Sequence, residues 1–121
     1  MADQPSASWI LERYAAGDRS FVDLDLDDKP YDFSEATLIG ADFSGCFICA
    51  NFRGANLERA VFRRANVKTC NFSDANLQGA SFEGAAIDGA VFDRANLAGA
   101  SFLGASDQGH VYKTGEMPFV P

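Results

Sequence analysis

Between Ala50 and Ala105 the chain repeats every five residues: ANFRG (50–54), ANLER (55–59), AVFRR (60–64), ANVKT (65–69), CNFSD (70–74), ANLQG (75–79) and onward. That period excludes both ordinary regular elements as the unit of the fold. In an α-helix five residues advance about 500°, so equivalent positions spiral off any single face. In a strand an odd period sends successive equivalents to opposite sides. Each block must therefore be a unit that turns the chain by a fixed angle, as in a solenoid stabilised by stacking each unit on its neighbours.

Within a block the first and third residues are the inward pair. Every block start from 50 to 105 is Ala except Cys70. The centres are all apolar and alternate strictly between Phe (Phe52, Phe62, Phe72, Phe82, Phe92, Phe102) and aliphatic (Leu57, Val67, Leu77, Ile87, Leu97). These eleven centres are the expected structural core. Their alternation selects the cross-section. A coil of about 15 residues stacks Phe on aliphatic side chains. One of about 20 stacks Phe52 on Phe72 on Phe92, which suits flat rings at a rung spacing of roughly 4.8 Å. Four sides are expected. The fourth and fifth residues form corners. Gly at the fifth place suits a type II turn with positive φ, whereas Arg59, Arg64, Thr69, Asp74 and Arg94 there are expected to use type I geometry. Asn56, Asn76 and Asn96, at the outward second place, are expected to stack as a ladder.

The clear blocks begin at Tyr31, and the count slips by one residue within CysPheIleCys at 46–49. Cys46 and Phe47 are assigned inward there, with Ile48 and Cys49 outward or at a corner. Residues 1–30 read as a leader with a capping helix and an irregular first coil. Ile10, Leu11, Tyr14 and Ala15 form the helical stripe, Trp9 lies beside it, Ser8 is the N-cap and Gly17 the stop. Residues 31–106 are the β-helix and 107–121 an irregular C-terminal tail. So short a helix needs a surface to hold it, and the open end of the solenoid supplies one. At the other end Val111, Tyr112, Met117, Phe119 and Val120 are candidates to fold over the exposed backbone, which is otherwise an aggregation hazard. A capped monomer or an end-to-end homodimer is expected.

The net charge of −7 argues against direct nucleic-acid binding or attraction to anionic membranes. No apolar run approaches the roughly 20 residues that span a bilayer. The start lacks the regions of a secretory signal, and three cysteines make no disulfide framework. A cytoplasmic protein is expected. Charge is banded along the chain, with acidic residues prevailing before position 51 and after position 70. Between them lies a basic band of Arg53, Arg59, Arg63, Arg64 and Lys68, the candidate partner-binding surface. Stacking at intervals of twenty is expected to pair Arg63 with Glu83 and Lys68 with Asp88.

The run Ala-(Asn/Asp)-(Leu/Phe)-x-x over residues 31–106 closely resembles the pentapeptide repeat proteins. The leader, ILERYAAGDRSF, resembles leaders of cyanobacterial members. The resemblance implies an all-β fold: a right-handed quadrilateral β-helix of about four coils, with a short N-terminal capping helix. It also implies a non-enzymatic protein–protein interaction module. Some members of the family mimic duplex DNA and bind type II topoisomerases such as gyrase, a second reading that the acidic charge fits. A structural or assembly role through end-to-end stacking is a third.

Catalysis finds little support. His110 is the single histidine, and acid–base chemistry needs titratable groups converging in a cleft. Cys46-x-x-Cys49 lacks the second pair of a zinc site and the βαβ context of a redox pair. Asp23, Asp25 and Asp27 imitate the opening of a calcium loop, but Asp28 stands where that loop wants Gly, and Ser34 where it wants Glu. No catalytic, cofactor or metal residue is assigned.

Overall fold

The computed structural model describes residues 5–118. From Asn51 onward each parallel bridge joins residues twenty apart: Asn51 to Asn71, Asn56 to Asn76, Val61 to Ser81, Asn66 to Ala86 and so on to Ser106. Four five-residue blocks therefore complete a coil, which excludes coils of fifteen. Each rung is held from both sides. The Phe52 N–H donates to Asn71 O (2.7 Å), and the Asn71 N–H donates to Ala50 O (3.1 Å). The result is a β-helical solenoid whose strands are scarcely longer than one bridge each.

The twenty-residue step puts like over like inside. Phe43, Phe62, Phe82 and Phe102 stack at centroid distances of 5.4, 4.9 and 4.8 Å. Phe33, Phe52, Phe72 and Phe92 form a second column at 5.1, 5.1 and 5.3 Å. Between the columns the rings meet edge to face, as for Phe72 and Phe82 at 5.4 Å and 87°. Stacking along the axis and edge contact across it are the two arrangements that an aromatic quadrupole favours. Leu57, Val67, Leu77 and Ile87 are buried on the remaining faces. Leu97, the last aliphatic centre, packs against this core. It is partly buried, with no further coil stacked on its face.

The corners also depart from expectation. The Ala55 N–H donates to Phe52 O (3.0 Å), which closes a turn with Gly54 at its third position. Gly54 has φ 68°, but Arg59 (57°), Arg64 (56°), Thr69 (62°), Asp74 (59°) and Arg94 (59°) are left-handed too. Type I geometry is excluded at all of them, since it needs a negative φ at that position. The reason is repetition, because every coil must turn through the same angle to keep the rungs in register. Asn at the second place helps set the turn. The Oδ1 atoms of Asn51, Asn66 and Asn71 accept from the N–H of Arg53, Lys68 and Ser73 at 3.0, 3.1 and 2.9 Å. The Asn ladder forms between Asn76 Nδ2 and Asn56 Oδ1 (3.3 Å).

The slip at 46–49 resolves differently from the sequence assignment. Strand β2 (Phe47–Asn51) alternates, with Cys46, Ile48 and Ala50 inward and Phe47 and Cys49 outward. Phe47 and Ile48 thus exchange the sides assigned to them. The corner after Ile48 has lost one of its two residues and consists of Cys49 alone. Its partner is strand β1 (Asp25–Asp32), parallel to β2, with Leu26 opposite Ile48 and Tyr31 opposite Ala50. Five steps on β1 therefore match two on β2, and Asp27 to Pro30 bulge outward over the shortened corner.

Both ends carry added structure. Helix α1 (Ala7–Ala15) is capped by Ser6, not Ser8, whose Oγ accepts the Trp9 N–H at 3.1 Å. Ile10 is buried and Ala7, Leu11 and Tyr14 are partly so, whereas Ala15 is exposed. The Tyr14 hydroxyl donates to Ile39 O (2.7 Å) and ties the helix to the first full coil. At the other end β3 (Ser106–Asp107) and β4 (His110–Val111) form an antiparallel hairpin, so that stretch is ordered and not irregular. Gln108 and Gly109 both have positive φ, as a type I′ turn requires. The hairpin delivers Tyr112 over Phe102, with centroids 6.1 Å apart. Tyr112 is buried, while Val111 and Met117 are exposed. Phe119 and Val120 lie outside the described residues.

Candidate functional site

The interior leaves little room for chemistry. Among the described residues every buried side-chain nitrogen and oxygen has a hydrogen-bond partner. Two thiols face inward. Cys46 Sγ lies 2.9 Å from Phe21 O, and Cys70 Sγ lies 3.3 Å from Ile48 O. Burial pushes them up to about 11 and about 12, so both stay protonated at neutral pH. Cys49 is on the opposite side of β2 from Cys46, with Thr69 Oγ1 at 3.8 Å. The two halves of the Cys46-x-x-Cys49 motif therefore never meet.

Asp25 and Asp27 point outward from β1. A hydrogen bond with Asp25 raises the carboxyl of Asp27, and the Tyr31 hydroxyl, 2.7 Å from Asp28, lowers that of Asp28. Among the described residues no group of three or more His, Cys, Asp or Glu is placed to hold a metal ion. His110 stands at the C-terminal hairpin, its Nε2 3.4 Å from Glu116 and its ring edge-on to Tyr112.

The basic band is where outward groups converge. Its five cations occupy corners of a single coil, and stacking supplies partners to two of them. Arg53 lies 3.6 Å from Asp74, which Arg94 from one coil further on also grips through two hydrogen bonds of 2.8 and 3.0 Å. Those bonds hold the Asp74 carboxyl below the usual carboxylate range. Arg59 pairs with Glu58 at its own corner (2.8 Å). Arg63 meets Glu83 at 3.5 Å, as the twenty-residue spacing requires. Lys68 does not meet Asp88, whose carboxylate instead accepts the Gln108 N–H at 2.9 Å. Among the described residues neither Arg64 nor Lys68 has an ion-pair partner.

Glycine choice is coupled to these cations. A Cβ at Gly79 or Gly84 would stand 3.3 Å from the Cγ of Arg59 or Arg64 respectively. The arginine stems thus run over the bare corner of the next coil. Between the Arg64 and Lys68 corners lies the face that carries Phe47, which is 51% exposed and stacked beneath Asn66. Beside it a shallow groove of about 470 Å³ opens at the shortened corner, lined by Pro30, Tyr31, Cys49, Ala50, Thr69 and Asn71 among others. Sequence reasoning missed Phe47 as a surface residue. The signal was present, because counting in fives from Phe33, Leu38 and Phe43 lands on Ile48.

Coils of four five-residue blocks, sealed by paired Phe columns and faced by outward ladders, define a repeat solenoid whose polar side chains lie on its outside. The chain belongs to the pentapeptide repeat family: the model for pentapeptide repeats matches residues 46–84 and 75–106. Its fold is similar to that of the pentapeptide repeat protein Rfr23 from the cyanobacterium Cyanothece 51142. That match has TM-score 0.69 and 24% identity, covering 74% of this chain and 60% of that one. It is also similar to QnrB1, a plasmid-mediated fluoroquinolone resistance protein, with TM-score 0.50 and 28% identity over 74% of this chain and 46% of that one. A pentapeptide repeat protein from the Arabidopsis thaliana thylakoid lumen is 31% identical over 75% of this chain and 67% of that one, with TM-score 0.46. The chain thus spans less than two thirds of the length of Rfr23 and of QnrB1. No curated protein matches it. Among the described residues no helix is long and apolar enough to cross a membrane.

Proposed function

We propose that the protein is a non-enzymatic, rigid protein–protein interaction module, a right-handed quadrilateral β-helix working in the cytoplasm. Its leader of residues 1–30 caps the rod, residues 31–106 form it and 107–121 close it. The observation that carries this reading is the filled interior: with apolar centres and Ala packed inside, the side chains free to act form fixed ladders at rung spacing on the outer faces. The basic band of Arg53, Arg59, Arg63, Arg64 and Lys68 is the partner-binding surface, since it interrupts an otherwise acidic rod. A pull-down with the full chain, and with a variant carrying Glu at those five positions, tests this. One protein retained near stoichiometry by the parent and lost by the variant is the expected result. Equal capture by both baits removes the band from the account.

A second reading, a DNA-mimicking modulator of gyrase, draws on the likeness to QnrB1. Length and charge weigh against it. Bridges climb from Ser20 through Asp42, Val61 and Ser81 to Ser101. Four such steps give roughly 19 Å, the length of about six base pairs. The basic band also breaks the continuous negative surface that a mimic needs. A gyrase supercoiling assay decides: no effect at high micromolar protein eliminates the mimic. End-to-end stacking into a homodimer is the assembly counterpart.

A further inference from the structure

Two features of the outer surface fall on the same face. Three of the band's cations are matched to carboxylates: Arg53 to Asp74, Arg59 to Glu58 and Arg63 to Glu83. The two without an ion-pair partner among the described residues, Arg64 and Lys68, stand at the two corners of one face. On that face, one coil below, Phe47 projects outward, 51% exposed, where the other described Phe, Tyr and Trp residues are buried or partly buried. Its neighbours along the axis, Asn66, Ala86 and Ser106, are small or polar, so nothing on the face rises to cover the ring. An exposed aromatic anchor flanked by uncompensated charge is the composition of a recognition surface.

We infer that this face docks an extended, acidic segment of a protein partner, with an apolar side chain set between two carboxylates. The inference rests on the interaction-module reading and names its surface. Arg64 and Lys68 are four residues apart across the face, about 13 Å in extended chain. A partner strand presents its residues i, i+2 and i+4 on one side with the same spacing. Carboxylates at i and i+4 meet Arg64 and Lys68, and an aromatic residue at i+2 lies on Phe47, at the edge of the groove beside Cys49. A long polyanion fits worse. Asp25 is paired directly beneath Phe47 and Asp88 lies in the coil above Lys68, so the positive stretch is one coil deep. Successive phosphates of a nucleic acid would run into those acids, whereas two carboxylates need not.

The test is an amide chemical-shift titration of the full chain with the peptide Gly-Glu-Ser-Phe-Ser-Glu-Gly, alongside the same peptide with Lys in place of Glu. The acidic peptide is expected to move Phe47, Asn66 and Lys68 first. Phe47→Ser and the double change Arg64→Glu, Lys68→Glu are each expected to weaken it about tenfold or more, and the double variant to prefer the lysine peptide. Both variants alter exposed side chains, so their thermal melts should match the parent. Shifts confined to another face, or none at millimolar peptide, overturn the proposal. Tighter binding of a single-stranded octanucleotide to the same amides overturns it in favour of nucleic acid. If the pull-down still yields a partner lost on reversing the five-residue band while the peptide shifts nothing here, the module reading stands and this face assignment falls.

Discussion

Phe72 shows how much a single side chain carries in so narrow a fold. It stacks on Phe52 below and Phe92 above and meets Phe62 and Phe82 edge-on. Truncation opens a cavity that a repeated backbone cannot collapse to fill. Phe72→Ala should therefore cost roughly 3–5 kcal/mol, and Arg64→Ala under about 0.5 kcal/mol. Urea unfolding of the two variants checks the ranking, and the reverse order would refute the packing. The cysteines report the same partition by reactivity. A thiol reagent on the folded protein at neutral pH should modify Cys49 alone, because Cys46 and Cys70 are buried and held as thiols. In denaturant all three should react. With both buried pKa values raised, the thiol form's contribution to stability is fully present below the unfolded cysteine pKa, near 8.5. It fades as pH climbs toward about 11 and about 12.

At the level of corners and strands, the fold holds non-glycine residues where glycine is at ease. A left-handed φ at Thr69, a β-branched residue, is unfavourable locally. It persists because the two hydrogen bonds of each rung and the Phe stack dictate the turn. Most corner columns relieve crowding by setting Gly over the side chain beneath, as Gly79 does over Arg59. The column Gly54–Asp74–Arg94 instead keeps side chains in adjacent coils and bonds them together. Asp74 gains its negative charge more easily folded than unfolded, chiefly through Arg94. The stability this adds is present above the unfolded carboxylate pKa, near 3.9, and is lost as pH falls through the lower folded value. Urea midpoints measured from pH 6 down to pH 2 should decline less steeply in Arg94→Gln than in the parent. Parallel curves would mean that the exposed pair contributes nothing measurable.

Along the axis, the rod is a stack whose stability depends on what closes it. Helix α1 covers the first coil through Ile10 and Tyr14, and the C-terminal hairpin places Tyr112 over Phe102. The hairpin also supplies rung partners, since the Gly104 N–H donates to Tyr112 O at 2.8 Å and the Tyr112 N–H to Ala105 O at 2.8 Å. Ending the chain at residue 106 strips these away and leaves an open β-edge. That form should melt at lower temperature and show a larger, concentration-dependent mass by light scattering. An unchanged monodisperse mass would show that the tail does not govern association.

Counting in fives was enough to reach the coil length, the Phe columns and the corner positions. In a tube this narrow each place in a block has one possible side, so periodicity and packing carry the same information. Three matters lay beyond the count. Phe47 and Ile48 took their sides from the pairing of β2 with β1, a contact between segments about twenty residues apart that slips by three positions midway. Thr69 and the corner arginines took positive φ because neighbouring coils impose a common turn on residues that would not choose it alone. Lys68 makes no ion pair with Asp88, whose carboxylate accepts an N–H from a hairpin further along the chain. Local pattern encodes which way a side chain faces when the backbone repeats. Competition between distant segments for one strand edge, one turn angle or one charge exists only after the chain has folded.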